Sequence, residues 1–209
     1  MEVFFKILDN RRPAGEQGAV HSILEEIILL ALSDGDFAAI GAPDGALARA
    51  YASAAAADLL AEGLACADSG RFRLLEIPPP PPRAIARAAE VAAGCPTLSD
   101  AVRELEKAAP DLERLCVGAL LEKSALKTAR QFGFFGGKIL KVADARERRR
   151  MRKSVLAAVS GAEIPDFRTA AVIWALFSGD LMRIAVSRRE LSKFGARAES
   201  LAKRFPDLK

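Results

Sequence analysis

The feature that most constrains this fold is residues 131–141, where three phenylalanines and three glycines separate two predicted helices. The first helix is predicted over residues 110–124 and the second, a very basic one, over about residues 144–159. Glycine-rich sequence interrupts helices and supports tight turns. We therefore expect a projecting β-hairpin whose tip contains the apolar side chains of Phe132, Phe134 and Phe135.

Cationic residues surround the predicted tip. Arg130, Lys138 and Lys141 bracket it, and Arg148 and Arg149 follow in the basic helix. An apolar tip flanked by cationic residues is typical of a surface that contacts a membrane or a partner protein. The alternative interpretation is that the arginines only form a solvated helix face.

The charge distribution favours an anionic partner for this region. The chain has 31 Lys and Arg against 27 Asp and Glu, a net charge of +4. Residues 1–110 carry −6, whereas residues 123–153 carry +9. Such a concentrated charge favours anionic lipid, phosphate or nucleic acid.

The rest of the chain predicts an all-α fold, a mainly helical single domain over residues 1–209 with the projecting hairpin and at most one short strand pair. A strand is predicted over residues 71–77, after a turn at residues 66–70. Amphipathic and apolar periodicity predicts the helices; these are residues 17–33, 46–64, 83–93, 98–108, 167–177 and 187–203, with a short helix at 181–186.

Several local details accompany these helices. Glu25 and Glu26 are predicted to form the solvent face of the first helix. Small side chains at residues 54–57 should allow a neighbouring helix to approach closely. Thr97 is expected to cap its helix, and Trp174 is expected in the core.

Five consecutive prolines at residues 78–82 predict an extended polyproline segment. Such a segment is either a ligand for a proline-binding domain or a rigid spacer. No second proline-rich stretch supports docking, so the spacer is the preferred interpretation.

The search for an active site is negative, and we expect a protein that is not an enzyme and needs no cofactor. Cys66, Cys95 and Cys116 form no Cys-x-x-Cys pair and are predicted to be buried, reduced thiols. His21 is the only histidine, so no zinc site is expected. Residues 133–138 resemble a phosphate-binding loop but are one residue short of its spacing.

The N-terminus lacks the order of a signal peptide, and the longest apolar run, residues 27–32, is far shorter than a membrane span. We therefore expect a cytoplasmic protein whose membrane contact is peripheral.

Taken in order, four segments resemble the Golgi phosphoprotein 3 family, which includes bacterial members. Residues 23–34 are similar to its opening helix, and residues 54–63 to its next helix ending in glycine. The sequence Leu-Leu-Glu-Lys-Ser-Ala-Leu at residues 120–126 is similar to the family's motif before its hairpin. Residues 165–176 are similar to its Asp-x-Arg motif and apolar helix.

The resemblance implies a helical domain with a β-hairpin, binding of phosphatidylinositol 4-phosphate on Golgi membranes, and a role as an adaptor that can form oligomers. The family's headgroup site uses a tryptophan and three arginines. The resemblance places Ala42 or a neighbour at the tryptophan and Ser53 near the first arginine. The other two arginines fall at Pro110 and Glu113, and Arg114 lies one residue from the last.

Three hypotheses follow. The first is a peripheral membrane protein that binds anionic lipid, including headgroups like phosphatidylinositol 4-phosphate, through nine residues: Arg114, Arg130, Phe132, Phe134, Phe135, Lys138, Lys141, Arg148 and Arg149. The second is an interaction protein whose hairpin forms a homo-oligomer contact. The third, a nucleic-acid binder, lacks a recognisable reading motif, and no nucleic acid is expected as partner.

Overall fold

The computed structural model describes residues 21–32, 45–68, 70–75, 81–130 and 138–206, with only the backbone for residues 130, 138 and 139. This part of the chain is mainly helical, with two antiparallel strand pairs, which confirms the predicted fold class. Its elements are α1 (Ile23–Ala31), α2 (Gly45–Ala61), β1 (Ala65–Asp68), β2 (Arg71–Leu74), α3 (Arg83–Ala92), α4 (Leu98–Lys107), α5 (Ala109–Glu122), β3 (Leu126–Arg130), β4 (Lys138–Val142), α6 (Ala145–Ser160), α7 (Phe167–Ser178), a 3₁₀ turn (Met182–Ile184) and α8 (Arg188–Lys203).

Helix α2 is the centre of the packing. It contacts α1, α3, α4, α5 and α7. Residues 50–59 of α2 are all buried, and six of them are alanines. Alanine adds little bulk beyond the backbone, so neighbouring helices can approach α2 closely, as predicted for residues 54–57.

The N-terminus of α1 is buried, and its backbone amides are satisfied by side chains. Residues 23–30 are all buried, so water cannot reach these amides. Ser22 forms a capping box with Glu25. The amides of Ile23 and Leu24 donate to the two carboxylate oxygens of Asp58 on α2, at 2.6 and 3.0 Å. Asp58 therefore joins α1 to the central helix.

The prediction that Glu25 and Glu26 face solvent is wrong. Glu25 is 3% exposed and Glu26 is 8% exposed. Lys123 Nζ lies 2.7 Å from Glu25, and Arg168 Nε lies 2.9 Å from Glu26. Buried carboxylates need such partners, and both partners come from distant parts of the sequence.

The other predicted helices are present, and side-chain caps account for the starts of α4, α6, α7 and α8. Thr97 accepts from the amide of Asp100, and Asp144 accepts from the amide of Arg146 at the start of α6. Helix α6 ends at Gly161, whose φ of 83° is the left-handed conformation that favours glycine. The helix predicted over residues 110–124 ends at Glu122, and the short helix predicted at 181–186 is the 3₁₀ turn.

The turn predicted at residues 66–70 is wrong for most of its length, because β1 occupies Ala65–Asp68 and pairs with β2. Phe72 of β2 is 4% exposed, and its amide donates to the Pro96 carbonyl at 2.8 Å. These tertiary contacts outweigh the local turn preference. Part of the predicted polyproline segment, residues 78–80, lies outside the described residues, as do residues 17–20 and 33 of the first predicted helix.

Trp174 is half-buried against the core and stacks on Phe205, with ring centroids 4.7 Å apart. The three cysteines are free thiols. Cys116 is buried, and burial raises the pKa of its thiol. Cys66 and Cys95 are only half-buried, which corrects the prediction that all three are buried.

Replacing Asp58 with alanine should lower the free energy of unfolding by about 2–4 kcal/mol, because two buried amides would lose their acceptor. Asp58→Asn keeps one acceptor oxygen and should lose less. Urea unfolding of both variants at neutral pH measures the difference. Equal losses would show that the capping contact is not what stabilises α1.

Gly179, directly after α7, lies against the start of α2. An added Cβ would meet the Ala46 carbonyl oxygen at 2.4 Å. Gly179→Ala should therefore lower the melting temperature, because one backbone must move. Gly195→Ala on α8 is the matched control, since nothing lies within 4 Å of its Cβ position. That variant should be neutral or more stable, by up to about 1 kcal/mol. Equal melting temperatures would contradict this account of the α2–α7 contact.

Candidate functional site: a cationic surface

The predicted hairpin is present. Strands β3 and β4 pair antiparallel, with Leu126 opposite Val142 at the base and Arg130 opposite Lys138 at the far end. Leu126 is buried, and Leu140 and Val142 are half-buried against the core. Because side chains alternate along a strand, these residues define the inner face of the hairpin.

The outer face of the hairpin carries two lysines. Lys127 and Lys141 are directly opposite each other across the strands, and both are exposed. Like charges at directly opposed positions destabilise a strand pair. We call these two residues the lysine pair. They concentrate positive charge on the outer face, and their repulsion lowers the stability of the hairpin.

Helix α6 has a buried face and an exposed face. Val155 and Val159 are buried, and Arg148 is 3% exposed on the same side of the helix. Burial and the nearby Arg152 lower the pKa of the Arg148 guanidinium. Arg148 therefore contributes its charge inside the protein rather than at the surface.

The exposed face of α6 is strongly cationic. Residues spaced by three, four and seven positions share one face of a helix. Four exposed cations have this spacing, and Glu147 lies off their face. The set, hereafter the cationic face, consists of Arg146, Arg149, Arg150 and Lys153.

Of the nine residues predicted as a lipid site, the structure describes four as side chains, and these four do not form one exposed surface. Arg149 lies on the cationic face and Lys141 in the lysine pair, whereas Arg148 is buried. Arg114 is exposed on α5, where it contacts Asp111 at 3.3 Å.

The remaining predicted site residues cannot be placed as side chains. Arg130 and Lys138 are opposite each other by backbone register at the far end of the hairpin. The tip residues Phe132, Phe134 and Phe135 lie outside the described residues.

The prediction omitted Lys127, Arg146, Arg150 and Lys153, although the sequence contained signals for all four. The spacing from residue 146 to residue 153 places the helical cations on one face. Alternation from the apolar Leu126 places Lys127 on the outer face of the hairpin. Applying the helical spacing to α6 and the strand alternation to β3 would have included these residues and excluded Arg148.

Two positions that the resemblance places at or near the family's headgroup arginines, Ser53 and Glu113, carry no cation. Ser53 is 0% exposed in the middle of α2. Glu113 is 5% exposed, and burial raises its pKa to about 7. Neither side chain supplies positive charge to a phosphate.

Two further observations concern the described residues only. They include no group of three or more side chains arranged to hold a metal ion. None of their helices combines the length and the apolar character that crossing a bilayer requires.

Together, the helices around α2, the β3–β4 strand pair and the cationic face define a mainly helical protein with a localised basic surface. A model of the Golgi phosphoprotein 3 family (GPP34) matches residues 23–207. The chain belongs to this family, which confirms the resemblance seen in the sequence. No curated protein matches the chain.

Replacing Lys127 with glutamate should stabilise the protein by about 0.5–1 kcal/mol, because a repulsive cross-strand pair becomes an attractive one. Lys127→Gln, which only removes the repulsion, should show a smaller gain. Thermal unfolding at low and high salt measures both, and the gain should shrink with salt. A loss of stability in the glutamate variant would contradict the repulsion assigned to the lysine pair.

Proposed function

We propose that this protein is a non-enzymatic peripheral membrane protein that binds anionic lipid through the cationic face of α6 and the lysine pair. The observation that carries the proposal is the cationic face itself, four exposed cations on one side of a helix whose other side is buried. Membership of a family known for binding phosphatidylinositol 4-phosphate at Golgi membranes supports it.

The attraction between these cations and an anionic membrane is strong enough for reversible binding of the protein. A lysine or arginine near an anionic membrane surface contributes roughly 1 kcal/mol. The cationic face and the lysine pair together supply six such residues. Apolar side chains at the hairpin tip would add burial at the boundary between headgroups and acyl chains.

We further propose that binding depends on surface charge and not on one headgroup. Ser53 and Glu113 are buried and provide no cation where the family has arginines. A cationic surface without a phosphate pocket attracts any anionic lipid in proportion to its charge. Phosphatidylinositol 4-phosphate should then bind no better than another lipid at matched surface charge.

The test is co-sedimentation with liposomes that are neutral, rich in phosphatidylserine, or contain phosphatidylinositol 4-phosphate at the same total charge. The variant Arg149→Gln/Lys153→Gln removes two charges from the cationic face. Each of these charges contributes roughly 1 kcal/mol to membrane binding, so the variant should bind anionic liposomes about 30-fold more weakly. Raising the salt concentration should weaken binding of the intact protein as well.

The matched control is Arg189→Gln/Lys193→Gln on α8. These two residues have the same four-residue spacing and are also exposed, so the control has the same net charge as the test variant. Equal weakening in both variants would refute the assignment to α6. Failure of the intact protein to bind any anionic liposome would refute the proposed function.

A second variant addresses the hairpin tip. Phe134→Ser/Phe135→Ser should weaken liposome binding if the tip enters the membrane. If the intact protein binds no liposome and this variant changes from oligomer to monomer on a sizing column, the hairpin is a subunit contact instead.

A further inference from the structure

The only histidine of the chain lies buried between two helices. His21, just before α1, is 3% exposed. Its Nε2 atom lies 2.9 Å from Oε1 of Glu147, in the first turn of α6. Its Nδ1 atom lies 3.4 Å from Oε2 of Glu25 on α1. One imidazole ring therefore connects α1 to the helix that carries the cationic face.

This geometry favours a protonated ring. A neutral imidazole has one N–H and one nitrogen lone pair, so it can attract only one of two carboxylates. In this structure a carboxylate faces each ring nitrogen. Neither contact has the alignment of a good hydrogen bond, so the attraction depends on the charge of an imidazolium.

The carboxylates next to His21 favour the protonated form of its ring. Burial alone would lower the pKa of His21, but Glu25 and Glu147 raise it above the usual 6.5. The other charged groups around this point are Glu26 on α1, Asp58 on α2, Lys123 after α5 and Arg168 on α7. On α6, the residue after Glu147 is the buried Arg148. Arg168 also donates to the backbone carbonyl of His21.

The two carboxylates are not held equally. The Glu25 side chain is 5% exposed, and both of its oxygens lie within 2.8 Å of Lys123 Nζ. Glu25 also accepts from the amide of Ser22. The Glu147 side chain is 26% exposed and can turn towards water. Loss of the proton should therefore release Glu147 and leave Glu25 in place.

We propose that His21 is a proton-dependent latch, which holds the first turn of α6 against α1 while the ring is protonated. Because the folded protein holds this proton more tightly than the unfolded chain, the stabilisation is fully present below pH 6.5. It is lost as the pH rises through the higher value of the folded state. Its effect on the orientation of the cationic face towards a membrane rests on the proposed function, whereas the latch itself does not.

The latch can be tested without any ligand. The single histidine gives one set of imidazole NMR signals, so its titration is unambiguous. His21 should titrate above 6.5 in the intact protein, and Glu147→Gln should lower its pKa towards or below that value. Glu90→Gln on α3 is the matched control, because Glu90 is exposed and contacts Arg87. It should leave the titration unchanged.

Amide hydrogen exchange then measures the movement. Protection of the amides of residues 146–150, corrected for the intrinsic pH dependence of exchange, should fall several-fold over the range in which His21 loses its proton. Protection in α4 should change less than protection of residues 146–150 in that range. In Glu147→Gln the first turn of α6 should be weakly protected at every pH.

Two results would overturn the latch. One is a His21 that titrates at or below 6.5 in the intact protein. The other is protection of residues 146–150 that does not follow the titration of His21. Neither result depends on liposomes, so failure of the latch and failure of the proposed membrane function are distinguishable.

Discussion

The structure depends on the carboxylate of Asp58 at the buried start of α1. Helix α1 is buried over residues 23–30, so its first amides cannot be hydrated and must find acceptors within the protein. Asp58 supplies two of them from the middle of α2. Burial raises the pKa of Asp58 to about 7, against these two donors, which favour the ionised form. The same end of α1 brings Glu25, Glu26 and His21 into the interior.

Local signals predicted the helices well, because caps and apolar periodicity are encoded within a few residues. Thr97, Asp144 and Gly161 mark helix ends in the sequence and do so in the structure. The buried acids could not be predicted in this way. Glu25 meets Lys123, which is 98 residues away, and Glu26 meets Arg168, which is 142 residues away. A solvent face was the reasonable local interpretation, and long-range packing overrode it.

The cationic surface was predictable in kind and only partly in its residues. Its location in the hairpin and the basic helix follows from the charge of residues 123–153 alone. Which residues belong to this surface depends on the orientation of α6. Arg148 shares a face with Val155 and Val159, so packing of the valines takes Arg148 inside. The face of Lys127 follows from its alternation with Leu126, whereas its pairing with Lys141 required the register of the hairpin.

The two faces of α6 give the helix two electrostatic roles. Its outer face carries Arg146, Arg149 and the other residues of the cationic face. Its inner side meets the carboxylates of α1 through Glu147 and His21. A helix packed only through Val155 and Val159 would have a position independent of pH. The first turn of α6 is also held by an imidazolium. The orientation of its cationic residues therefore depends on whether His21 is protonated. The acidic groups around α1 determine the pH at which His21 loses that proton.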